Sequence, residues 1–191
     1  MPNWVYNSVT VNGSDDEVLS IAERLRRPHR LREGDTTPFN FMNVVEPGDG
    51  IEYDTAWYEW NCANWGTKWG AAEVSHLMTR GPEGNALAEY TFSTAWDAPR
   101  GVIDALGQLM LEVGATHTTV TWSFEEENGW GGEYEITALD GAFLVRSWDE
   151  PRSHADWVER GDVDGCPCEI GDPYDDCPVW GETLALPSNG S

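Results

Sequence analysis

Between Thr118 and Trp148 the chain reads TTVTWSFEEENGWGGEYEITALDGAFLVRSW, and this stretch constrains the fold more than any other. Val120, Trp122 and Phe124 alternate with polar residues, Asn128-Gly129 supplies a tight turn, and Tyr134 and Ile136 alternate back. Asp140-Gly141 then turns the chain again before AFLVRSW. Period-two alternation broken by Asn-Gly and Asp-Gly predicts strands joined by hairpins. Three such strands form an antiparallel sheet with one apolar face, and that face needs a cover.

Candidates for the cover lie upstream. WVYNSVTVNG (4 to 13) reads as a first strand ending in a turn, and SDDEVLSIAERLRR follows. Ser14 and Glu17 have capping-box spacing, and Val18, Ile21, Ala22 and Leu25 mark one face of a helix. Asp15 and Asp16 suit its positive end, and Arg24, Arg26 and Arg27 its negative end. Those three with Arg30 and Arg32 are half of all arginines, which reads as a solvated helix end among carboxylates or, as the lesser alternative, a local anion site. FNFMNVVEP (39 to 47) is apolar and stops at Pro47, and residues 48 to 63 read as an irregular insertion carrying Trp57, Tyr58 and Trp60. AAEVSHLMTRG and ALAEYTFSTAW read as strands, separated by a Gly81-Pro82-Glu83-Gly84 turn. After Asp97-Ala98-Pro99, the positions Val102, Leu106, Leu109, Met110 and Val113 keep helical spacing up to Gly114.

Strand, helix, two strands, helix, strands is a split β-α-β order with an added hairpin. The expected fold is α+β: an antiparallel sheet with two helices on one face and an extra C-terminal hairpin. Residues 1–148 read as this domain. Residues 149–191 read as an acidic tail holding 11 acids against 2 arginines, without apolar periodicity.

Charge narrows the functional classes. The chain has 34 acidic and 11 basic residues, a formal charge of −23. That field repels nucleic acid and anionic lipid and attracts basic protein surfaces, while the plainer reading of the same excess is solubility or growth in high salt. The start MPNWVYNSVTVNG lacks a basic, then apolar, export signal, and no apolar run is long enough to span a membrane. A cytoplasmic protein is therefore expected, in which four cysteines serve as thiols or metal ligands. Cys166, Cys168 and Cys177, with Cys62 or His154 as a fourth ligand, could hold zinc, although the C-x-C-x8-C spacing departs from the usual paired C-x2-C. An idle thiol cluster and a disulfide are the alternatives.

NWGTKWG (64 to 70) concentrates unusual chemistry: two of 11 tryptophans, an amide, and Lys68, the only lysine. Extended as a strand, it would put Trp65, Thr67 and Trp69 on one side and Asn64, Gly66 and Lys68 on the other. Three readings follow: a structural corner, a binding clamp formed by Asn64, Trp65, Thr67, Lys68 and Trp69, or a catalytic lysine. The last requires burial to depress the lysine's pKa, which the many acids oppose. Glu125, Glu126 and Glu127 at a hairpin tip read as solvated, and His76 and His117 as structural. Asp172, Asp175 and Asp176 lack the spacing of a calcium loop. No H-E-x-x-H, Walker A, G-x-S-x-G or G-x-G-x-x-G motif occurs, which leans against an enzyme.

The start MPNWVYNSVTVNG, FNF…V.EP, NWGTKWG, FSTAWDAPRGVIDAL and the E.G.GGEYEI hairpin occur in that order. Together, over residues 1 to 146, they resemble the YubB-type ferredoxin-like family of phage and conjugative-plasmid proteins. The resemblance implies a ferredoxin-like fold without an iron–sulfur cluster and no established activity. It departs at Gly70, where the family pattern has an acid, and gives no precedent for the cysteine-bearing tail. The expectation is an accessory protein that binds a host or defence protein through an acidic, Trp-rich surface, acting as a nucleic-acid mimic. A small enzyme with a pocket around Trp65 and Lys68, or a zinc-supported interaction module, is the alternative.

Overall fold

Alternation decides which side of each strand is buried. In the computed structural model, which describes residues 3–29, 37–48, 53–127, 131–149 and 181–185, β1 (Trp4–Ser14) turns Val5, Asn7, Val9 and Val11 inward. Ser14 then caps α1 (Asp15–Leu25), its side chain accepting from the Glu17 amide. A 3-10 turn (Phe41–Asn43) follows, then α2 (Tyr53–Asn64), β2 (Ala72–Arg80), β3 (Asn85–Ala95) and α3 (Arg100–Glu112). β4 (Thr119–Glu126), β5 (Gly131–Leu139), β6 (Ala142–Asp149) and β7 (Gly181–Ala185) complete the sheet.

The strand order is β2-β3-β1-β4-β5-β6-β7, and every neighbouring pair is antiparallel. The expected α+β class is what the molecule has. α1 packs over β1 and β3 and α3 over β5 and β6, so Val18, Ile21 and Leu25 meet Val102, Ile103, Leu106 and Met110 in one core. The three strands expected between Thr118 and Trp148 are β4, β5 and β6. Asp140 (φ 49°) and Gly141 (φ 84°) both adopt the left-handed conformation that a type I′ hairpin needs. β7 runs along β6 from Ser147↔Gly181 to Phe143↔Ala185, which adds a strand from beyond residue 149.

Two expectations change. Residues 53 to 64 form a helix where an irregular insertion was expected, giving three α-helices among the described residues in place of two. Trp57, Trp60 and Asn61 share its inner side, and Asn61 is fully buried, so the buried stripe is partly polar and the apolar period is weak. Second, the capping box is half used. The Glu17 carboxylate accepts from the Thr116 amide (3.0 Å), the Thr116 hydroxyl (2.8 Å) and the Thr118 hydroxyl, across the sheet's end, where it holds the α3–β4 connection. The apolar 39–47 segment enters the core: Phe39 lies edge-on to Tyr90 and Trp122, while Asn43 donates to the Leu25 (2.9 Å) and Arg27 (2.8 Å) carbonyls at the end of α1. No helix among the described residues is long and apolar enough to cross a membrane.

Candidate functional site

The NWGTKWG corner is built by the end of α2. The Trp65 amide donates to Asn61 O (2.8 Å) and Gly66 takes φ +82°, so the helix stops and the chain bends. The fully buried Asn61 side chain donates to Lys68 O (2.9 Å) and Asn64 to Trp60 O (2.9 Å), which closes the bend onto the helix. Residues 65 to 70 are therefore a folded bend, and the alternation expected of a strand does not apply. Trp65 is only 2 % exposed, donates through Nε1 to Val45 O (3.1 Å), and lies edge-on to Phe41 (5.6 Å) and Trp60 (5.5 Å). Thr67 is buried and donates to Ala95 O (2.8 Å). α3 starts hard against this corner: a Cβ on Gly101 would fall 1.9 Å from Asn64 O. Asn64, Trp65 and Thr67 therefore hold backbone and core together.

Lys68 and Trp69 face outward. Lys68 Nζ lies 4.5 Å from the Trp69 ring centre, 5.1 Å from that of Trp96 and 5.6 Å from that of Tyr58. Within about 6 Å an ammonium is attracted to the electron-rich face of an aromatic ring. Tyr58 and Trp96 meet edge-on at 6.1 Å, and Trp4 stands 6.3 Å from Trp69. These rings remain open to solvent, with Tyr58 43 %, Trp69 36 % and Trp96 44 % exposed. Tyr58 and Trp96 were missed from sequence because the three rings come from α2, the bend and the end of β3.

Trp96 is held in the left-handed region (φ +78°), unusual for a bulky side chain. A buried polar chain fixes its neighbourhood. Trp122 Nε1 donates to Asn7 (3.0 Å), Asn7 to Thr94 Oγ1 (3.0 Å), and Thr94 to Asp97 O (2.9 Å). Asp97 in turn accepts from the Ala98 amide (2.7 Å). The core thus reaches the Trp96-Asp97-Ala98 turn through satisfied hydrogen bonds.

Beside Trp69 lies a hollow of about 240 Å³ bordered by Phe39, Asn40, Phe41, Trp65 and Gly70. Asn40 uses its carbonyl on the Met42 amide (3.0 Å), and its buried Nδ2 has no partner among the described residues. Groups with altered proton affinity lie elsewhere. Burial raises Asp104, partly offset by Arg100, and pushes the Tyr90 hydroxyl up to about 12. Burial and Arg26 lower His76, which stacks on Tyr90 at 4.6 Å. None of these three lines the hollow. Cys62 is a half-buried free thiol on α2, whereas Cys166, Cys168, Cys177, His154, Asp172, Asp175 and Asp176 lie outside the described residues. Among the described residues no three His, Cys, Asp or Glu side chains converge as a metal site.

No protein-family model, curated protein or solved structure matches this chain. The functional reading therefore rests on the molecule's own geometry and charge and on the resemblance carried by its sequence motifs.

Proposed function

We propose that this protein is a non-enzymatic accessory protein of a phage or conjugative plasmid, which binds a basic surface on a host or defence protein. The contact face is Tyr58, Trp69 and Trp96 gathered around Lys68. The observation that carries this reading is the exposure of three large rings in one cluster, each held by the fold rather than left loose. Rigid aromatic side chains anchor interfaces at low entropic cost. Lys68 spaces the rings, and the overall charge of −23 draws a basic partner towards them. In this reading the chain's excess of carboxylates stands in for phosphates, which makes the nucleic-acid site of a defence or replication enzyme the natural target. The mobile-element origin comes from the resemblance, which also implies a ferredoxin-like unit. In support, β2-β3-β1-β4 with α1 and α3 has the strand order and antiparallel sense of that topology, and β5 and β6 then form its added hairpin.

The test is a pull-down from host lysate with the tagged full chain at low and high salt, beside a Tyr58→Ala/Trp96→Ala variant shown to fold by circular dichroism. The expected result is capture of a nucleic-acid-handling protein at low salt, lost at high salt and reduced at least about tenfold by the variant. Capture that the ring variant leaves unchanged, or no specific capture at either salt, overturns the proposal.

A further inference from the structure

The sheet has a second face. On it Ser8 stands opposite Thr91 of β3 and Ser123 of β4, and Tyr6 opposite Ser93 and Glu125. These residues, with Glu73, border a hollow of about 500 Å³ that shares no residue with the ring cluster around Lys68. That size falls within the range of small-molecule sites.

Glu73 reaches this hollow through a backbone irregularity. Ala72 pairs with Ser93 but Ser75 pairs with Thr91, so β2 carries one extra residue between them. Val74 packs on the core, while Glu73 takes φ +55° and borders the open face. A β-bulge whose first residue is left-handed normally uses glycine. A glutamate is strained there, and its carboxylate is what glycine would not supply.

The chemistry of the lining selects the ligand. It offers the Glu73 and Glu125 carboxylates, the exposed Tyr6 ring, and the hydroxyls of Ser8, Thr91, Ser93 and Ser123, with no basic side chain among the described residues that line it. An anion would be repelled, and a neutral sugar would gain nothing specific from two charges. A bare divalent cation takes six or so oxygen ligands from several carboxylates, and no three metal-ligating side chains converge among the described residues. An alkylammonium uses every element: carboxylates for charge, the ring face for the cation, hydroxyls for its N–H groups. We infer that the hollow bounded by Tyr6, Glu73 and Glu125, on the sheet face that no described helix covers, binds a small organic polyamine.

The test is titration of spermidine into the full chain at about 0.15 M salt, followed by calorimetry and amide chemical shifts. Shift changes are expected to be confined to Tyr6, Ser8, Glu73, Thr91, Ser123 and Glu125. Glu73→Gln/Glu125→Gln should weaken binding about tenfold or more, since each lost ion pair is replaced by a neutral contact. Glu59→Gln/Asp140→Asn, which removes as much charge at exposed positions elsewhere, should leave it unchanged. Glu73→Gly is expected to weaken binding while keeping or raising the thermal midpoint, because glycine relieves the bulge. Shifts spread over the whole acidic surface, equal weakening by the two double variants, or equal occupancy of the hollow by magnesium or glucose would each overturn the assignment.

Discussion

Truncating Trp65 to alanine removes a side chain that is 2 % exposed, together with its Nε1 hydrogen bond to Val45 and its edge contacts with Phe41 and Trp60. Large-to-small changes at such sites leave a cavity that the neighbours fill only partly. The expected loss is about 3–5 kcal/mol, read from urea denaturation. Trp69→Ala, at a ring 36 % exposed, should cost about 1 kcal/mol or less. Equal losses at the two positions would remove the distinction between corner and contact face. Two tryptophans four apart in one motif thus hold different jobs, and Gly66 is what separates them. Its left-handed backbone lets Trp65 turn in while Lys68 and Trp69 turn out.

At the scale of elements, one carboxylate ties three of them together. Burial raises the Glu17 pKa, but the hydrogen bonds from the Thr118 and Thr116 side chains and the Thr116 and His117 amides outweigh it and hold the group below its ordinary 4.5. A depressed folded-state pKa means the unfolded chain binds the proton first as acid is added. The contribution is therefore full above the unfolded value and is lost as pH falls through the lower folded one. Glu17→Gln should be less stable at neutral pH and should show a shallower loss between about pH 5 and pH 3, checked by denaturation across that window. An unchanged acid slope would mean Glu17 does not clamp α1 to the α3–β4 connection. α2 teaches a related lesson, since its position depends on the buried Asn61 amide reaching Lys68 O as much as on apolar packing.

Across the whole molecule the acidic excess is the dominant long-range force. Several ion pairs in the described residues join exposed groups, such as Arg26–Glu23 (3.7 Å) and Arg146–Glu135 (3.3 Å), and pairs of that kind contribute little each. A net charge of −23 instead strains the folded state by self-repulsion, which salt screens. The urea midpoint is expected to rise between about 0.01 and 0.5 M sodium chloride, over which the screening length shrinks severalfold. A midpoint that falls with salt would show that specific ion pairs outweigh the net field. The same screening that stabilises the fold should loosen a basic partner, so stability and binding should respond to salt in opposite directions.

Sequence by itself determined the elements whose signal is local. Val120, Trp122 and Phe124 alternate because a strand has period two, and Val18, Ile21, Ala22 and Leu25 recur because a helix has period 3.6. From these followed the α+β class, β1, α1, β2, β3, α3 and the three strands after Thr118. Tertiary structure decided what depends on partners distant in the chain. Glu17 meets Thr116 across 99 positions, α2 closes through a polar residue that breaks its apolar period, and the β2 bulge exists only against the register of β3. Tyr58, Lys68 and Trp96 come together because the end of α2 folds back beside the end of β3. No spacing within one segment encodes that meeting, since a periodic pattern reports which face is buried and not which other element arrives to cover it.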